Sequence, residues 1–119
     1  MIQRVYDILK PLNVPVSFML RPDMSKNQIG ISYHFFNEGY ELYGDGKGKN
    51  PGGSLQVDVF STVDYTNTVK QAINLLESNG FRLADKRDSE DSLSENIKYY
   101  QKVLIFNYNE RMVQDGSKN

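Results

Sequence analysis

The sequence predicts an α+β fold: a mostly antiparallel sheet, two helices packed on one face, and a long β-hairpin. Three observations carry this. Two amphipathic helical stretches stand apart, at residues 2–10 and 65–78. Between and after them run segments that alternate apolar and polar residues at the period of a strand. A glycine-rich stretch, Gly44 to Gly53, separates two of those segments as a hairpin tip would. Strands joined by hairpins, with helices on one side, make this class of sandwich.

Ile2, Val5, Tyr6, Leu9 and Leu12 recur at helical spacing, and Pro11 ends the first helix because the residue before proline leaves the helical region. Val14 to Leu20 reads as a strand, with Pro15 placing it at an edge, since proline cannot donate to a ladder. Arg21-Pro22-Asp23 is a turn. Gln28 to Glu38 is a second strand, with Ile29, Ile31, Tyr33 and Phe35 on one face and a bulge or tight turn at Asn37-Glu38-Gly39. Tyr40 to Tyr43 continues extended into the glycine-rich tip.

Residues 54–62 then alternate, with Leu55, Val57 and Val59 on one face and Gln56 and Asp58 on the other, solvent side. Phe60 falls on that polar face, where a neighbour or partner would cover it. Thr62 or Asp64 caps the next helix, whose stripe is Tyr65, Val69, Ala72, Ile73 and Leu76. Asn79-Gly80 stops it, with Phe81 placed for the accompanying hydrophobic contact. Phe81 to Arg87 is a strand, Asp88 to Ser92 an acidic loop, and Ile97 to Tyr108 the longest strand, apolar on both faces and therefore central. We expect one domain over residues 1–110 and a polar, flexible tail over 111–119.

Composition narrows function by exclusion. The 119 residues suffice for one domain with its own core. Without cysteine there are no disulfides, thiolate zinc sites or cysteine nucleophiles. A net charge of −1 gives no basic excess for strong phosphate binding. No apolar run is long enough for a membrane helix, and Gln3, Arg4, Asp7 and Lys10 break any signal-peptide core.

Few residues carry chemistry. His34 is the only histidine and has no carboxylate at metal-ligand spacing, so neither a metal nor a cofactor is expected. Gly44-x-Gly46-x-Gly48 precedes a strand, whereas nucleotide-binding glycine motifs open a helix. Its Lys47 and Lys49 suit contact with an acidic partner surface. Asp58 is a conceivable general base, but nothing adjacent in sequence supports it, and a pairing or interface role fits better. The run Asp88, Glu90, Asp91 with Glu95 reads as a solvated face that would line a channel if the chain formed a ring. Eight tyrosines and six phenylalanines exceed what a small core needs, which favours a protein interface. The alternative is a small single-stranded nucleic-acid-binding module stacking bases on Tyr33 or Tyr100.

The order of features resembles a known family. An N-terminal helix leads to Val14-Pro15-Val16, then to a tyrosine-rich strand pair ending Tyr40-Glu41-Leu42-Tyr43-Gly44-Asp45-Gly46. Gln56-Val57-Asp58-Val59-Phe60-Ser61, the helix Tyr65–Ser78, Asn79-Gly80-Phe81 and a long closing strand follow. Over about residues 2–109 this resembles the tail-terminator, or head–tail joining, proteins of long-tailed phages and prophages of Gram-positive bacteria. The resemblance implies a non-enzymatic virion protein, made in the bacterial cytoplasm, that assembles as a homo-hexameric ring. The ring caps the major tail tube protein, docks to the head connector and lets DNA pass without reading it. It implies that Tyr40, Tyr43, Lys47, Lys49, Asp58 and Phe60 meet a neighbouring subunit or the tube. It places Asp88, Glu90, Asp91 and Glu95 at the lumen or a ring face.

Overall fold

A computed structural model describes residues 1–39, 52–92 and 98–109, together with Val113. The interface candidates Tyr40, Tyr43, Lys47 and Lys49, and the ring-face candidate Glu95, lie outside the described residues. The elements run α1 (Ile2–Leu9), β1 (Val16–Phe18), β2 (Ile29–Gly39), β3 (Gly52–Ser61), α2 (Thr66–Ser78), β4 (Arg82–Ser92) and β5 (Lys98–Asn109). The strands form one sheet in the order β1-β2-β3-β5-β4. All pairings are antiparallel except β1 with β2. The fold is therefore α+β, with a mostly antiparallel sheet and both helices on one face.

That face holds the core, and its composition explains why the helices sit there. Ile31 and Tyr33 of β2, Leu55, Val57 and Val59 of β3, and Leu104, Phe106 and Tyr108 of β5 all face the same way. Val5, Ile8 and Leu9 of α1 and Val69, Ala72 and Leu76 of α2 close over them. Complete burial of a Val or Leu side chain stabilises by about 1.5–3 kcal/mol, so the two apolar stripes fix which face each helix covers. Aromatic rings knit the layer: Phe35 and Phe81 approach Tyr108 at 5.8 and 5.5 Å between centroids. The Tyr33 hydroxyl donates to the Ile2 carbonyl at 2.7 Å and ties the start of α1 to the sheet. Burial pushes its phenol pKa upward.

Local chemistry sets the ends of the elements. Pro11 stands at the start of a 3-10 turn, Lys10–Leu12, which closes on Asn13 at φ 58°. The N-cap of α2 is Tyr65, with no side-chain cap bond, rather than Thr62 or Asp64. Asp64, one residue earlier, accepts from the Thr66 amide at 2.9 Å and from its hydroxyl at 2.7 Å. Those bonds hold its carboxyl below the usual value of 3.8. At the other end the Phe81 amide donates to Leu76 and the Gly80 amide to Glu77, with Gly80 at φ 94°. This pair of bonds is the Schellman stop, and Phe81 is buried beside Leu76 as the motif requires. A register shift between Phe36 and Gly39, with Asn37 at φ 53°, makes the bulge expected there.

Three expectations are corrected. The first strand, expected over Val14 to Leu20, is three residues long and runs parallel to β2. Met19, at φ 66°, turns the chain outward, and residues 19–28 cross the sheet instead of folding back along it. Second, Asp88 to Ser92 is not a loop: β4 runs on to Ser92, paired with β5 as far as Lys98. Polar residues suffice there because β4 is an edge strand, and Asp88 pairs with Lys102 across the ladder. Third, Val113, expected in the polar tail, is fully buried against the core, where its apolar side chain belongs. The other residues of 111–119 lie outside the described residues.

Candidate functional site

The face of the sheet away from the helices is where the polar residues of β2, β3 and β5 meet. Alternation dictates the set: Ser32 and His34 from β2, Gln56, Asp58 and Phe60 from β3, Tyr99 and Gln101 from β5. Residues 19–28 lie over one end. Pro22 packs so closely on Gly30 that a Cβ there would sit 2.5 Å from the proline ring. Met24, Phe60 and Tyr99 form a small second core beneath this crossing. Phe60 on the polar face is thus covered by the chain itself.

Arg21 completes that cover. Its guanidinium stands 5.4 Å from the Phe60 ring centroid and 5.7 Å from that of Tyr99, and its Nη1 donates to the Tyr99 hydroxyl at 2.6 Å. Stacking over two rings with a hydrogen bond to one of them fixes the planar cation in place.

Beside it opens a concavity of about 340 Å³, lined by Met19, Arg21, Ser32, His34, Asp58, Phe60 and Gln101. Asp58 is its centre: although alternation puts it on the solvent side of its strand, the residue is only 7% exposed. Gln56 Nε2 donates to both carboxylate oxygens, at 3.0 and 3.3 Å, and Gln101 Nε2 to Oδ1 at 3.3 Å. Ser32, also 7% exposed, lies directly opposite Asp58 on the neighbouring strand. Asp58 makes no ion pair among the described residues, and Ser32 Oγ no hydrogen bond.

The sequence gives no sign of this gathering, because its members come from residues 19 to 101 and meet only through the sheet register. Chemically the site can bind and position polar groups. His34 faces it, and its ring contact is with Phe36, at 6.2 Å. Among the described residues no group of three His, Asp or Glu could hold a metal ion. No helix there is long and apolar enough to cross a membrane.

The remaining candidates lie elsewhere. Asp88 stands on the exposed β4 edge, and Glu90 and Asp91 occupy the same strand opposite Tyr100 and Tyr99. Of the tyrosines, Tyr33, Tyr99 and Tyr108 are buried, while Tyr100 is 48% exposed. Part of the aromatic surplus is therefore core.

No family model matches the chain, and no curated protein does. Among solved structures it is similar to a chain in the virion of a native gene transfer agent particle, with 15% identity and a TM-score of 0.45; the match covers 88% of this chain and 90% of that one. It is also similar to a chain of an extracellular contractile injection system, solved as the sheath/tube terminator in the extended state. There identity is 9% and the TM-score 0.36, over 92% of this chain and 56% of the other.

Proposed function

We propose that this chain is a structural virion protein: a ring-forming tail terminator that caps the tail tube and joins it to the head connector. The observation that carries the reading is the two-sidedness of the sheet. Helices cover one face, the other is polar and concave, and β4 is an 11-residue edge strand with no neighbour on its outer side among the described residues. Each copy thus offers two unlike surfaces, which a head-to-tail contact needs before it can close into a ring. An unpaired strand edge is a ready site for such contacts. The order of elements supports the same reading, and the scarcity of catalytic groups favours scaffolding over chemistry. In this reading six copies surround the DNA path, with Asp88, Glu90 and Asp91 of β4 at the lumen or a ring face.

The base-stacking alternative draws less support. Of the two tyrosines it would use, Tyr33 is buried inside the chain and Tyr100 is 48% exposed, so at most one of them is open to a base.

Negative-stain imaging and sedimentation velocity of concentrated protein, alone and with isolated tail tubes, test the proposal. Closed six-fold rings, or capped tubes that no longer elongate, are expected. Protein that stays monomeric and leaves tube length unchanged overturns it.

A further inference from the structure

We infer that the concavity around Asp58 is a socket for a basic side chain of a second copy of this chain, and that Arg82 supplies it. The inference rests on the ring-forming reading above and names the contact that would build the ring.

The socket is chemically incomplete. Asp58 is 7% exposed, and among the described residues its side chain accepts hydrogen bonds from the amides of Gln56 and Gln101 alone. A carboxylate can accept about four hydrogen bonds, and a charge held away from water needs a counter-charge or full hydrogen bonding. Ser32, a residue also 7% exposed, adds a hydroxyl on the strand position directly opposite. Two acceptors on the wall of one 340 Å³ opening suit a group that brings several N–H donors and a positive charge. Arg21, on the same wall, is held over Phe60 and Tyr99 and bound to the Tyr99 hydroxyl, so its place is the aromatic end of the site.

The β4 edge supplies the complement. Arg82 and Lys86 are exposed there and form no ion pair among the described residues, whereas Arg87 is taken by Asp85 and Lys102 by Asp88. Arg82 lies opposite Asn107, on the helix-free side of the sheet, while Lys86 lies opposite Leu104, on the helix side. A contact between the helix-free face of one copy and the β4 edge of the next therefore brings Arg82, not Lys86, to Asp58. Within one chain β5 separates β4 from β3, so the two residues meet only between copies. The planar guanidinium has the donor geometry that a carboxylate beside a hydroxyl can accept.

The test uses Asp58→Asn, which keeps the side-chain shape, and Arg82→Glu, which alters an exposed edge residue. Circular dichroism melts first establish that each is folded, and sedimentation velocity then follows assembly. Each variant alone is expected to lose the ring species seen for the unaltered chain. Their equimolar mixture is expected to give dimers and no rings. In it one intact Arg82 meets one intact Asp58, and the next contact around the ring fails. Either variant forming rings at the unaltered concentration dependence overturns the socket while leaving the ring reading intact. A mixture that stays monomeric overturns the pairing of Asp58 with Arg82. An unaltered chain that never assembles overturns both readings together.

Discussion

Single residues in this chain are governed by what covers them. Leu55, Val57 and Val59 could be placed from sequence because a strand exposes alternate residues to alternate faces, and the apolar ones take the core. The alternation also put Asp58 on the opposite face, correctly, but it could not say that this face is partly enclosed. The groups that enclose it, Gln101 and the crossing that carries Met19 and Arg21, lie about 40 residues away on either side. Only the folded register joins them. Asp64 shows the reverse case, a residue whose role is local and therefore legible. Its carboxyl is held below 3.8 by the Thr66 amide and then by the Thr66 hydroxyl. A carboxyl lowered in the folded state adds stability above its unfolded pKa, and that stability is lost as pH falls through the folded value. Asp64→Ala should therefore melt at a lower temperature than the unaltered chain at pH 7. The gap should close once the pH is brought well below 3.8, which thermal melts at pH 7 and pH 2 would measure. A gap of equal size at both pH values would show that the carboxylate charge is not what holds the start of α2.

At the scale of elements, the signals that worked were those with a backbone cause. Pro15 marked an edge strand, and the Asn79-Gly80-Phe81 run marked the end of α2, because each limits the dihedral angles or hydrogen bonds available. The signals that failed were compositional. The run Asp88 to Ser92 was read as a loop for its polarity, yet an edge strand facing solvent has no reason to be apolar. The first strand was read four residues too long. What places it is the left-handed Met19 and a crossing segment whose path depends on Phe60 and Tyr99, far along the chain. The helix stop gives a direct measurement. Gly80 sits at φ 94°, where any side chain meets the following carbonyl. Gly80→Ala should destabilise the domain by about 1–2 kcal/mol. Gln71→Ala, on an exposed position of the same helix, should change stability by less than about 0.5 kcal/mol. Urea titrations of the two variants would separate the effects, and equal shifts would mean that the Schellman geometry is not limiting.

For the whole molecule, the decisive property is that the sheet has one finished side and one finished edge. The helices complete the first, and the short β1 strand with Pro15 beside it largely removes the second. What is left is the β4 edge and the concave polar face, the two surfaces that the proposed ring would join. Hydrogen exchange can read this without disturbing any residue. In dilute solution the amides of β3 and β5, paired on both sides, should exchange slowest. The β4 amides turned away from β5 should exchange fast, since among the described residues no strand pairs with them. On raising the concentration through the assembly range, those β4 amides should gain protection of tenfold or more. β3 should change little, because it is already enclosed. Selective slowing along Arg82–Ser92 would place the subunit contact at the edge, as the head-to-tail ring requires. Uniform slowing of the whole sheet would mean that assembly stabilises the fold globally, and no slowing at β4 would move the contact to another surface.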